Sequence, residues 1–106
     1  MKPLKLLFLL ILSFPASAQI QLGADIDGEA AEDFSGYSVS LSSDGTIMAI
    51  GARWNDGNGS NAGHVRVYED SSGTWVQLGA DIDGEAASDL SGHSVSLSSN
   101  GTIVAI

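Results

Sequence analysis

Between residues 38 and 42, serine alternates with Val39 and Leu41, the period of two that gives a β-strand one apolar and one polar face. Ser43-Asp44-Gly45 follows. Aspartate favours turn entry and glycine accepts positive φ, so this tripeptide predicts a tight hairpin. Residues 46–52 are apolar on both faces through Ile47, Met48, Ala49 and Ile50, the pattern of a strand covered from two sides. A Gly/Asn loop over 55–63 leads to residues 64–69, where Val65 and Val67 take one face and Arg66 and Tyr68 the other. Ser72-Gly73 turns the chain into a fourth strand over 74–79, anchored by Trp75. Beyond residue 18 no stretch carries helical periodicity.

This pattern is repeated. Residues 21–50 return as residues 77–106, and of the 30 paired positions only Glu32/Ser88, Phe34/Leu90, Tyr37/His93, Asp44/Asn100 and Met48/Val104 differ. A repeat of this length made of four consecutive antiparallel strands, with a two-sided apolar strand inside it, is the layout of a β-propeller blade. The predicted class is therefore all-β, with about one and a half blades: a first repeat over 21–76 and a truncated second repeat over 77–106. Residues 20–28 read as a fourth strand without the preceding three, an N-terminal closing strand. A β-solenoid is the alternative, though its repeats are typically shorter. The last residues, 102–106, form an apolar edge open to pairing with another chain.

Composition adds a compartment. Lys2 and Lys5, an apolar run over 6–14 and Ala16-Ser17-Ala18 have the three parts of a secretory signal, with cleavage expected between Ala18 and Gln19. The apolar run is shorter than the roughly 18 residues that span a bilayer, so membrane insertion is not expected. Without the signal, Arg53 and Arg66 stand against 13 acidic residues, a formal charge of −11. That acidity argues against nucleic acid or anionic membrane as partners. No cysteine is present, so disulfides contribute nothing to stability.

Ser35-Gly36-Tyr37-Ser38-Val39 followed by Ile50-Gly51-Ala52 resembles the FG-GAP repeat of integrin-α-like β-propellers, and the stretch 55–68 is similar to the loop and third strand of secreted bacterial members. The resemblance covers the mature chain. It implies a propeller of several blades outside the cell, serving adhesion or ligand binding, with further blades downstream. Ser35 and Ser91 stand where the family has Phe, and Arg53 where it has Pro. Many such blades hold calcium in an Asp-rich hairpin, but here that place is taken by Ser42-Ser43-Asp44-Gly45 and Ser98-Ser99-Asn100-Gly101. One carboxylate or none is too few for an ion that takes roughly six to eight oxygens.

Acidic residues gather elsewhere. Asp25, Asp27, Glu29 and Asp33 recur as Asp81, Asp83, Glu85 and Asp89, and residues i and i+2 of an extended segment project to one side. These eight are the candidate calcium ligands, the alternative being a solvated linker with turn caps. Trp54, in a loop after Arg53, is a candidate platform for a sugar or a protein anchor, and Asp56 and Asn58 offer oxygens beside it. Asn58-Gly59-Ser60 and Asn100-Gly101-Thr102 fit the glycosylation sequon. His64 and His93 lie in no recognisable catalytic or metal spacing; His93 replaces Tyr37, so that position takes a planar ring, and His64 reads as a capping or partner-facing residue. The serine face at Ser38, Ser40 and Ser42 reads as a surface for close strand approach. No paired nucleophile and base is visible, so no catalysis is expected. The expected function is a secreted or cell-surface propeller that binds an extracellular protein or carbohydrate. Its alternatives are the scaffold of a larger extracellular enzyme and a purely structural repeat array.

Overall fold

Residues 19–106 are described by a computed structural model; the expected signal segment over 1–18, with its expected cleavage after Ala18, lies outside the described residues. Four strands form an antiparallel meander, β1 (Ser35–Leu41), β2 (Ile47–Ala52), β3 (His64–Ser71) and β4 (Thr74–Gln77), in the spatial order of the sequence. Short β5 (Ile82–Asp83) joins the same edge of β3 at His64 and Val65, beyond the end of β4. The register on β3 shifts between β4 and β5: Val67 and Arg66 face the four residues from Leu78 to Asp81, where Gly79 takes a positive φ of 70°. The second repeat contributes a two-stranded sheet, β6 (Ser96–Leu97) and β7 (Val104–Ala105). The described residues contain no helix, and the meander has the layout of a propeller blade.

Pairing fixes what each face carries. Val39, Ile50 and Arg66 align across the sheet, as do Leu41, Met48 and Tyr68, while Ser38–Gly51–Val65 and Ser40–Ala49–Val67 align on the opposite face. Residues Ala49 to Ala52 are buried without alternation, as the two-sided apolar pattern requires. The face with the serines lies against the second repeat. Ser38 donates its hydroxyl to the Gly92 carbonyl at 2.6 Å, and the Leu97 N–H donates to Ser40 Oγ at 3.0 Å. The approach is close enough that a Cβ on Gly51 would overlap the Gly92 carbonyl and the Ser38 hydroxyl. Further out, the Ser88, Leu90 and Ser91 N–H groups donate to the carbonyls of Ser60, Asn61 and Ala62, and Gly84 donates to Gly63. At the other end the Ser43 N–H reaches the Ser99 carbonyl.

The expected N-terminal closing strand is not formed: residues 20–28 belong to no strand. Their copy in the second repeat, residues 76–84, which differs only in Val76 for Ile20, supplies the end of β4 and all of β5, because three strands precede it and the free edge of β3 is at hand. Residues 20–28 have no such edge, since β4 and β5 already occupy it. They lie instead against the other face of the blade, where the Trp75 indole N–H donates to the Leu22 carbonyl at 2.9 Å.

The two β1–β2-type hairpins close in the same way. Asp44 Oδ1 accepts from the Ser42 hydroxyl, the Thr46 hydroxyl and the Thr46 N–H, while Ser42 Oγ accepts from the Ile47 N–H. Asn100 Oδ1 repeats all three contacts with Ser98 and Thr102, and Ser98 Oγ accepts from Ile103. Only an acceptor oxygen is needed, so the Asp/Asn exchange between copies is neutral to the geometry. The bonds from the Thr46 side chain, the Thr46 backbone and Ser42 hold the Asp44 carboxyl below its ordinary value.

Two outcomes follow from these contacts. Ser38→Ala and Ser40→Ala should each destabilise the chain by about 1 kcal/mol in urea unfolding, the usual worth of an intramolecular hydrogen bond. Their counterparts Ser94→Ala and Ser96→Ala, whose hydroxyls have no partner among the described residues, should be near silent; equal costs for the two pairs would refute the docking role. For the hairpin, a depressed carboxyl pKa means that its contribution is complete above the ordinary aspartate range and is lost as the pH falls through the folded value. Asp44→Asn should therefore match wild type near neutrality and lose the acid sensitivity of this turn, whereas Asp44→Ala should lower the thermal midpoint at every pH.

Candidate functional site

His64 and Arg66 stand on one face of β3 because residues i and i+2 of a strand project to the same side. The acidic linkers of both repeats meet there. From the first come Glu29, which accepts from Arg66 Nη2 and from Asn55 Nδ2 at 3.3 Å, and Asp33, which accepts from Asn55 Nδ2 at 2.8 Å. From the second comes Asp81, whose Oδ1 accepts from Arg66 Nε at 3.0 Å and from Gln77 Nε2 at 2.7 Å. Asp83 is paired with His64 across β5 and β3, and its Oδ1 lies 3.9 Å from His64 Nδ1.

Charge is arranged around the single arginine. The Arg66 guanidinium holds the Asp81 carboxyl well below the usual carboxylate range, against the opposing effect of burial and with help from Gln77. Burial works against the charge of Arg66 itself, but its bonds to Asp81, with the nearby Tyr68 side chain, outweigh that cost and raise its pKa. Asp33 and Asn55 are buried beneath this pair, and Asn55 also accepts from the Gly57 N–H at 2.8 Å. His64 is buried, and its Nδ1 has no hydrogen-bond partner among the described residues.

The eight carboxylates singled out in the sequence are thus spread over separate places. Glu29, Asp33, Asp81 and Asp83 converge on the His64–Arg66 face. Asp25 and Asp27 instead line a cleft of about 320 Å³ with Tyr68, Thr74 and Trp75, and Asp25 accepts from Gln21 Nε2. Asp89 caps the Ala86 N–H at 2.9 Å, and Glu85 is exposed. Nothing in the repeat pattern distinguished these fates. The signal that was available is the alternation His64-Val65-Arg66, which sets an imidazole and one of the sequence's two arginines side by side in a strongly acidic protein.

Trp54 belongs to a second cluster. Its ring meets Phe34 edge-on at 4.6 Å between centroids, and the Arg53 guanidinium lies over the rings of Tyr37 at 4.1 Å, Trp54 at 4.9 Å and Phe34 at 5.6 Å. Tyr37 in turn packs against His93 of the second repeat at 5.1 Å. Phe34 holds a left-handed φ of 56°, unusual for an aromatic residue, and its counterpart Leu90 does the same at 54°. Asp56 and Asn58 serve the fold: Asp56 Oδ1 accepts from the Asn61 N–H at 2.7 Å, and Asn58 Nδ2 donates to the Gly84 carbonyl at 2.8 Å.

Asn55 is the hinge of the buried polar layer, so Asn55→Ala should cost about 2–3 kcal/mol in urea unfolding by leaving Asp33 and the Gly57 N–H unpaired. Asn58→Ala removes one bond to a backbone carbonyl and should cost about 1 kcal/mol. The reverse order would show that Asp33 finds another donor.

Compared with known families, residues 22–68 match the FG-GAP repeat. The matched span takes in the first acidic linker, β1, β2 and β3 as far as Tyr68, and so includes both His64 and Arg66. No curated protein and no solved structure shows significant similarity to the chain. With its blade-like meander and a second, nearly identical repeat docked on the first, the chain carries an FG-GAP repeat over residues 22–68.

Proposed function

We propose that this protein is a secreted or cell-surface module that binds an extracellular protein or carbohydrate and performs no catalysis of its own. The observation that carries the reading is the aromatic cluster around Arg53. Tryptophan, tyrosine and arginine dominate the energetics of protein interfaces, and aromatic faces are also the usual platform for sugar rings. Here Phe34 and Tyr37 are each 47 % exposed, on a blade whose strands are fixed by the meander and by the second repeat. Their chain positions, just before and within β1, place the cluster at the start of the blade, where rigid backbone supports it. The FG-GAP repeat is typical of extracellular domains, and the sequence begins with the features of a secretory signal. No helix among the described residues is long and apolar enough to cross a membrane.

A screen of the purified chain against immobilised extracellular-matrix proteins and glycans tests the reading. Binding should fall at least tenfold in Phe34→Ala and in Tyr37→Ala, the loss typical of an interface hot spot of about 1.4 kcal/mol or more. Thermal unfolding should show that both variants remain folded. No binding in either panel, or binding indifferent to both substitutions, would overturn it. So would an ester, phosphate or glycoside hydrolase activity that vanished on a Ser or His substitution.

A further inference from the structure

Among the described residues, His64 is a buried polar side chain that the fold leaves unexplained. Its side chain is only 4 % exposed, yet Nδ1 has no hydrogen-bond partner among the described residues, and such an atom ordinarily finds one. Around it stand three carboxylates: Asp81 Oδ2 at 3.7 Å, Asp83 Oδ1 at 3.9 Å, and Glu29, with donor atoms of Glu29, His64 and Asp81 all within 4.8 Å of one another. These separations are too long for hydrogen bonds. They approach the spacing between ligands of a metal ion: bonds of about 2.0–2.1 Å in a tetrahedron put neighbouring donors about 3.3 Å apart.

From this geometry we infer that His64, Asp81 and Glu29, whose donor atoms lie within 4.8 Å of one another, form a binding site for a divalent transition-metal ion of the zinc type, with the exposed Asp83 side chain, 3.9 Å from His64, turning in as the fourth ligand. The imidazole nitrogen decides the class, since calcium and magnesium take oxygen ligands whereas zinc takes nitrogen and carboxylate oxygen together. Charge agrees: three carboxylates face one guanidinium, and a divalent cation would offset the excess. Arg66 has two roles in this arrangement. It bonds Asp81 Oδ1 at 3.0 Å and Oδ2 more loosely at 3.4 Å, and so steadies the carboxylate whose Oδ2 lies 3.7 Å from His64 Nδ1, as outer-shell partners do. Through Nη2 it also holds Glu29, so the ion competes with the arginine for that carboxylate. The ligands come from both acidic linkers and from β3 between them, so a bound ion would tie the second repeat's linker to the first repeat's blade.

Titration of the whole chain with zinc chloride, followed by calorimetry, is expected to show one equivalent bound, and calcium chloride should bind at least tenfold more weakly. Cobalt chloride should give a visible spectrum of a nitrogen-ligated, low-symmetry ion. Asp83 is 41 % exposed in its side chain and makes no side-chain hydrogen bond among the described residues, so Asp83→Asn should fold normally and weaken zinc about tenfold or more. His64→Gln should do the same and abolish the cobalt spectrum; should that buried substitution unfold the chain, Asp83→Asn and the wild-type spectrum decide. The Asp25→Asn/Asp27→Asn double variant should leave zinc affinity unchanged. Absence of zinc binding, equal affinity for calcium, or binding indifferent to Asp83→Asn would overturn the assignment.

Discussion

The structure depends on how closely one repeat can approach the next. At the contact the second repeat presents backbone, the Gly92 carbonyl and the Leu97 N–H, and the first presents the Ser38 and Ser40 hydroxyls. A serine hydroxyl both donates and accepts, so a stripe of them satisfies either kind of backbone group at an exposed sheet edge. Gly51 makes the approach feasible, because any side chain there would collide with the carbonyl it faces. The fully buried Val65 aligns with Gly51 on that same face, so the apolar core of the blade is completed by the neighbouring repeat and not by the blade alone.

That dependence explains the uneven order of the two copies. β1 runs for seven residues, while its near-identical counterpart in the second repeat, β6, runs for two. β2 is flanked by β1 and β3 in its own sheet and has both faces covered; β7 has β6 alone. Burial follows the covering: Ile103 is 68 % exposed, whereas Ile47, on a strand that lies between β1 and β3, is half-buried.

The site arises from the same stacking. The linker that ends one repeat and opens the next must pass over the blade, and its carboxylates are placed by the strand it has just left. Asp81 and Asp83 reach His64 and Arg66 because β5 pairs with the start of β3; Glu29 and Asp33 reach the same face from the segment before β1. A single arginine between two acidic segments then fixes their separation, and the imidazole beside it is left without a hydrogen bond.

The local fold was legible in the sequence, because it rests on short-range chemistry. Alternation at 38–42 and 64–69, the two-sided run at 46–52 and the Ser-Asp-Gly turn each act within a few residues, and all four strands of the first repeat stand where those patterns put them. The FG-GAP-like residues likewise pointed to the family whose repeat the chain matches. The fate of the repeated acidic segment was not legible. Residues 21–31 and 77–87 are identical, yet one copy joins a sheet and the other lies across a blade. Backbone hydrogen bonds need a partner edge, and only the copy preceded by three strands has one within reach. The same reason scattered the eight carboxylates: spacing placed them correctly along the chain, but which of them meet at His64 was decided by which edge of β3 was free.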